Sequence, residues 1–323
     1  MRFSFYTLTV LACIVASGVQ AAPSTLNERD NTSTVYGGIT SGFPTDGQGP
    51  RNENLLSSGD ATVQLHYFGG KVMWHHINIY YILYGNRWTS KSQEDLLVYY
   101  GNHISNTAWW KLVALPDKQG HKAGTGGVSV KKVIHCSGSC MKHSSKITRP
   151  TVVQIVSDHL SAGKVPLDVN AIYIVLTSPD VIMTSSCSGG SCGFHDHATY
   201  KGTPIVYSWV GNWYGTGCTI GCIDSHNSKN SPNNDVGIDG LISVLSHELA
   251  EAATNPYYDA WQGKPNAEDE NGDLCSWKFG KYSVGGTGSK SYIYNILIGN
   301  KHFLIQEMWK LTSNTGKGYC AMS

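Results

Sequence analysis

Charge is what this chain has least of. Lysine and arginine number 24 and aspartate and glutamate 23 in 323 residues, a net charge of +1, and no stretch concentrates the basic ones. Nucleic acid and acidic membrane surfaces both need a basic footprint, so neither is expected as a partner. Past the first twenty residues no run reaches the 18 or more consecutive apolar residues of a membrane helix, which excludes a transmembrane segment of that kind. No cysteine pair has the two-residue gap of a CxxC zinc motif, and no internal repeat is visible.

What the N-terminus does have is a basic residue, Arg2, then an apolar run from Phe3 to Val19 closing on Ala21-Ala22. That is the pattern of a secretory signal peptide over residues 1–21, and it predicts an exported, extracellular protein. Residues 22–60 are polar and rich in Gly, Pro, Ser and Asn, the composition of an arm or propeptide. Residues 61–323 then form one domain, large enough to bury a substantial core.

Leaving Cys13 in the signal, eight cysteines remain, an even number in an oxidising compartment. Three close pairs, Cys136/Cys140, Cys187/Cys192 and Cys218/Cys222, are read as local staples, with Cys275 and Cys320 left to join over a longer distance.

Strand character is clearest in the β-branched and aromatic runs at 76–85, 171–178 and 204–212. Helices fall between them. Ser92 and Asp95 can form a capping box ahead of LLVYY, while Pro150 and Gly163 frame a second helix. A third is expected over 239–254, stopped by Asn255-Pro256. Strands alternating with helices predict an α+β fold, an α/β-like mixed sheet with helices, stapled by disulfides.

The third helix carries the chemistry. Its sequence, DVGIDGLISVLSHELAEAATNP, begins an HExxH zinc-peptidase motif with His247 and Glu248, then has Glu251 where the second histidine belongs. At about 100° per residue, Val244, Leu245, Leu249, Ile242 and Ala252 form the core face, Glu248 lies inside that arc, and His247 and Glu251 sit together at its edge. A carboxylate aimed into an apolar face needs a cation, a donor or a wet cleft. A divalent metal held by His247 and Glu251 would compensate Glu248 and let it act as general base on metal-bound water. An anionic ligand weakens the metal's Lewis acidity and admits calcium or manganese beside zinc. The other reading makes His247 and Glu251 an i,i+4 pair on a solvated face.

A third ligand is sought in NAEDENGDLCSW, residues 266–277, where Glu268, Asp269, Glu270 and Asp273 precede Cys275. His195 and His197 in CGFHDHA could pair as ligands, although a surface loop is the favoured reading there. His75 and His76 point to opposite faces of a strand start and do not share a site. Trp109-Trp110 could stack on sugar, against the commoner role of packing.

The order of segments, NIYYILYGNRW, SNTAWWKLVAL, AIYIVLTSPDV, CGFH, YSWVGN, CTIGC, then NNDVGIDGLISVLSHELAEAATNPYYDAW and EDENGDLC, resembles the EXORDIUM / phosphate-induced protein family of secreted proteins. The resemblance runs over residues 75–323 and covers His247, Glu248, Glu251, Asn255, Pro256, Trp261, Glu270, Asp273 and Cys275. Tyr319-Cys320 fits the family's end and supports a Cys275 to Cys320 link. Asn271-Gly272 departs from a usually more apolar pair, and the Cys136/Cys140 loop is an addition. Such a resemblance implies an extracellular, wall-associated protein linked to growth, and brings no established reaction. Two functions follow as expectations. One is a zincin-like hydrolase with zinc on His247, Glu251 and Glu270 or Asp273, Glu248 as base, and one of the strands, such as 204–212, lining the cleft for an extended peptide. The other is a non-catalytic extracellular signalling or wall-binding protein with calcium, another structural metal or none.

Overall fold

The computed structural model describes residues 64–184, 191–263 and 269–323. The expected signal peptide and arm, Cys187 and Glu268 lie outside the described residues.

The core is a five-stranded sheet built from β1 (Ile77–Tyr84), β2 (Val128–Cys136), β3 (Ala171–Thr177), β4 (Gly193–Tyr200) and β5 (Thr203–Gly211). Its order is β2-β1-β3-β5-β4. The first four neighbours run parallel, and β4 closes one edge antiparallel to β5. Strands β1, β3 and β5 are buried nearly end to end, as a parallel sheet covered on both faces requires. This is the expected α+β mixed sheet. A two-residue turn, Lys201 at φ 49° and Gly202 at φ 82°, joins β4 to β5; positive φ at both positions suits the right-handed twist of a hairpin. That turn sets the register in which His195 faces Ser208.

Three longer helices connect and cover the sheet: α1 (Lys91–His103), α2 (Arg149–Ser161) and α3 (Val236–Thr254). The α1 cap differs from the expected Ser92 box: Ser90 is the N-cap and accepts the Ser92 N–H at 3.1 Å. A reciprocal Thr148/Thr151 box, with Pro150 in the first turn, starts α2, and Gly163 follows its end at φ 63°. Asp235 caps α3 by accepting the Ile238 N–H at 3.0 Å. From there α3 crosses β4 and β5 and touches α1.

Four expectations need correction. Strand 204–212 corresponds to β5, which is paired on both sides, so no substrate backbone can add to it; the edge strands are β2 and β4. His195 and His197 lie on β4, not on a surface loop, and His195 is fully buried. Trp109 and Trp110 are core residues whose indole N–H groups donate to Gln306 O and Gly124 O, so they offer no sugar-stacking face. The staple joining Cys192 is not local: it bonds Cys222, tying the start of β4 to the segment after β5. Cys136–Cys140 and Cys275–Cys320 pair as expected.

Candidate metal centre

Every residue of α3 from Val236 to Thr254 is buried. A helix covered all round has no solvated edge, so the i,i+4 pair on a wet face is excluded: His247, Glu248 and Glu251 each have no exposure. The sequence arc placed Glu248 correctly inside, and it could not show that β4 and the 270–275 loop cover the opposite side.

Two short-range devices hold the loop against the helix. Asn255, just past the last turn, donates from Nδ2 to Glu270 Oε1 at 2.7 Å and accepts the Ala260 N–H on its Oδ1 at 2.8 Å. The Asp273 N–H donates to Glu251 Oε1 at 2.9 Å. Gly272 permits this approach, since a Cβ there would stand 2.8 Å from Glu251 Oε1 and 2.9 Å from the His247 ring. Behind the loop, Cys275–Cys320 anchors it to the C-terminal hairpin of Met308–Leu311 and Gly318–Ala321.

Glu251 stands between two sets of potential ligands. Its Oε1 lies 3.0 Å from His247 Nε2, which is itself 3.2 Å from Asp273 Oδ1. Its Oε2 has no hydrogen-bond partner among the described residues and lies 3.9 Å from His195 Nδ1. His195 Nδ1 is also 3.7 Å from Glu248 Oε2, and His195 Nε2 is 3.7 Å from Glu270 Oε1 and 3.3 Å from the Asn255 carbonyl. One donor atom each from His195, Glu251 and Glu270 lies within 4.8 Å of the others, and the same holds for His247, Glu251 and Asp273. All four metal candidates read from the sequence therefore converge, but Glu270 and Asp273 belong to different sets. His195 completes the first set, and its burial was not legible from CGFHDHA.

The two sets differ in how well they satisfy themselves. His247 is a donor between two carboxylates, and the Glu251 charge with the bonds to Asp273 and Glu251 outweighs burial to push its pKa well above the ordinary value. The far side of that ring stays open, since His247 Nδ1 is buried with no hydrogen-bond partner among the described residues. Burial pushes His195 the other way, to about 3, so its ring is neutral. With Nε2–H directed at the Asn255 carbonyl, Nδ1 carries a lone pair and faces carboxyl oxygens that, when ionised, also only accept. His195 Nδ1, both Glu248 oxygens, Glu251 Oε2 and Glu270 Oε2 are all buried and unpartnered among the described residues. Such a concentration of orphaned acceptors is costly unless a cation or added protons fill it. Burial, then the neighbouring carboxylates, raises the Glu270 pKa strongly; burial and the Asp273 charge push Glu251 up to about 7. The donor set of imidazole and carboxylates is the one zinc and manganese take, and calcium less readily.

Gly193 opens β4 to the helix here: a Cβ would lie 2.7 Å from Val244 Cγ1 and 3.1 Å from Glu248 Oε1. A cavity of about 530 Å³ exists elsewhere, lined by residues including His103, Asn106, Trp109, Leu297 and Met322, and none of its lining belongs to this cluster.

An α+β domain with a buried histidine and carboxylate cluster on its central helix is the class of protein these features define. Residues 65–319 match the model of the phosphate-induced protein 1 conserved region. The chain belongs to this EXORDIUM and phosphate-induced protein family. It is 32% identical over 280 residues to Protein EXORDIUM-like 3 of Arabidopsis thaliana, covering 76% of this chain and 80% of that one. EXORDIUM-like 5 of the same plant is 31% identical over 305 residues, with 80% of each chain covered. To Protein EXORDIUM itself the identity is 34% over 165 residues, 43% of this chain and 52% of that one. No solved structure matches.

Proposed function

We propose that this is an exported, non-catalytic EXORDIUM-family protein whose core holds one divalent cation, zinc before calcium, as an architectural centre. The observation that carries this is the group of orphaned acceptor atoms on His195, Glu248, Glu251 and Glu270, fully buried between β4, α3 and the 270–275 loop. His195, Glu251 and Glu270 are the ligands, Glu248 adds charge beside them, and His247 with Asp273 holds the other oxygen of Glu251. A cation there joins three chain segments that hydrophobic contact alone would leave with buried, mutually repelling carboxylates. Export is supported by the signal-like N-terminus and by disulfides between the described cysteines, which persist in oxidising compartments. The relatives' names, Protein EXORDIUM-like 3 and Protein PHOSPHATE-INDUCED 1, state no reaction, in keeping with this reading.

A second reading has one observation in its favour. Glu248 keeps two unpartnered oxygens beside the ligands, the place a general base takes when zinc on His247, Glu251 and Asp273 activates water. One experiment separates them. Metal content of the purified mature protein is measured by plasma mass spectrometry, for wild type, His195→Ala and Glu248→Gln, with a casein or peptide-library assay in parallel. One equivalent of metal, lost in His195→Ala and without peptidase activity, is the expected result. A protein that purifies and refolds without metal sinks the centre, and Glu248-dependent cleavage replaces the architectural role with the hydrolytic one.

A further inference from the structure

Among the disulfides between described residues, Cys136–Cys140 closes the shortest ring, a separation of 4 residues against 30 and 45. Loop-closure entropy grows with ring size, so this link contributes least to holding the fold. Its environment has a feature that stability does not require. His159, on α2 and only 6% exposed, directs Nε2 at Cys140 Sγ from 4.0 Å. Its Nδ1 lies 2.8 Å from the Ile155 carbonyl, which can only accept, so Nδ1 carries the proton and Nε2 the lone pair. One donor atom each from Cys136, Cys140 and His159 lies within 4.8 Å of the others.

We propose that Cys136, Cys140 and His159 form a redox-gated site for zinc or another thiophilic divalent metal, closed while the disulfide stands and open once it is reduced. Tetrahedral zinc, with Zn–S of about 2.3 Å and Zn–N of about 2.0 Å, sets sulfur and nitrogen ligands roughly 3.5 Å apart. The 4.0 Å sulfur–nitrogen spacing needs only a small adjustment, the two freed sulfurs must part to roughly 3.8 Å, and the backbone can make both moves: Ser137, Gly138 and Ser139 are exposed, and Gly138 turns the chain at φ 55°. The gating step is a two-electron exchange. A dithiol reductant attacks the accessible Cys140 sulfur, the Cys136 sulfur leaves, and the mixed disulfide resolves to oxidised reductant and two protein thiols. Zinc then displaces the two thiol protons and binds two thiolates and the His159 lone pair, with a solvent ligand in the fourth position. Cys192, Cys222 and Cys275 are buried, whereas Cys218 and Cys320 are half-buried, so the variants at Cys136, Cys140 and His159 are what assign the metal to this site. This site is separate from the centre on α3 and does not depend on it.

The test compares the same full-length mature protein oxidised and after mild dithiothreitol treatment, with reductant removed under argon before zinc or cobalt is added. Expected is one additional equivalent of zinc per chain after reduction, and a sulfur-to-cobalt charge-transfer band present only in the reduced sample. Cys140→Ser and His159→Gln should each lose the additional equivalent, and Cys136→Ser/Cys140→Ser should bind none at this site while melting cooperatively. Equal metal uptake before and after reduction, or a reduced wild type that gains none, overturns the proposal. Running the series in a Glu251→Gln background keeps the result independent of the centre on α3.

Discussion

His195 and Glu251 come from an edge strand and a central helix, and they meet in the interior with Nδ1 and Oε2 3.9 Å apart, neither atom hydrogen-bonded among the described residues. Two acceptors at that distance repel, and what lies between them decides how the domain is held. If a divalent cation fills the place, substitution of either residue removes it. His195→Ala and Glu251→Gln should each purify with less than a tenth of the wild-type metal. His247→Ala, which only frees the far oxygen of Glu251, should weaken zinc binding by about 10- to 100-fold without abolishing it. Equilibrium titration with a zinc indicator measures all three, and a His247→Ala protein that is wholly metal-free would move the ligand role to His247.

Bound metal should also appear as stability. Free zinc at about 100 times its dissociation constant contributes roughly 2.7 kcal/mol to a state that binds it only when folded. Thermal melts with and without a strong chelator should therefore differ, and restoring zinc should restore the higher Tm. The Glu251→Gln variant should melt at one temperature in all three conditions.

The two glycines that admit the close approaches are predicted to be intolerant. In Gly193→Ala the new methyl meets Val244 Cγ1 at 2.7 Å, and overpacking of that kind costs about 1–3 kcal/mol. In Gly272→Ala it meets Glu251 Oε1 at 2.8 Å and displaces the loop from the helix, so metal content should fall together with stability. Urea denaturation and metal analysis on the same samples distinguish a packing defect from a defect in the centre.

Asp239, in the first turn of α3, gives a pH dependence away from the centre. It is 6% exposed and accepts from the Asn233 backbone N–H at 2.8 Å and from Asn233 Nδ2 at 2.6 Å. Burial nonetheless pushes its pKa up to about 6, above the 3.8 of an unperturbed aspartate. Between those values the folded state holds the proton more tightly than the unfolded one, so stability is favoured at the acid end and declines as pH rises from about 4 to 6. The shift corresponds to about 3 kcal/mol. Asp239→Asn should flatten this part of the stability profile, measured by denaturant titration at successive pH values, and an unchanged slope would contradict the assignment.

Removing the Cys275–Cys320 link, which closes 45 residues, should be more damaging than its distance from the centre suggests. Loss of a native disulfide of this span costs about 2–5 kcal/mol, and here it also frees the loop that carries Glu270 and Asp273. Cys275→Ser/Cys320→Ser should show a lower Tm and a weaker metal affinity together.

Local pattern was a good guide wherever the interactions are local. The runs at 76–85, 171–178 and 204–212 match the strands at 77–84, 171–177 and 203–211 to within a residue at each end, because β-branched and aromatic side chains suit a sheet buried on both faces. The same rule failed for β2, whose KK and H interrupt an edge strand that is half exposed, and for β4, where His and Asp disguise a strand with one buried side. The 239–254 helix began three residues early, since Asp235 caps it and Gly237 offers no hydrophobic signal.

What the sequence determined alone was the pairing of His247 with Glu251 on one side of a helix, the inward direction of Glu248, and the approach of a carboxylate loop stapled through Cys275. These follow from 3.6-residue periodicity and short chain separation. Only the tertiary structure decided that α3 is buried on every side, that His195 enters the cluster, and that Glu270 and Asp273 fall in different groups around Glu251. The physical reason is that His195 lies far from Glu251 in sequence, and its depth is set by the β4–β5 register and the Gly193 contact, neither of which has a local signature.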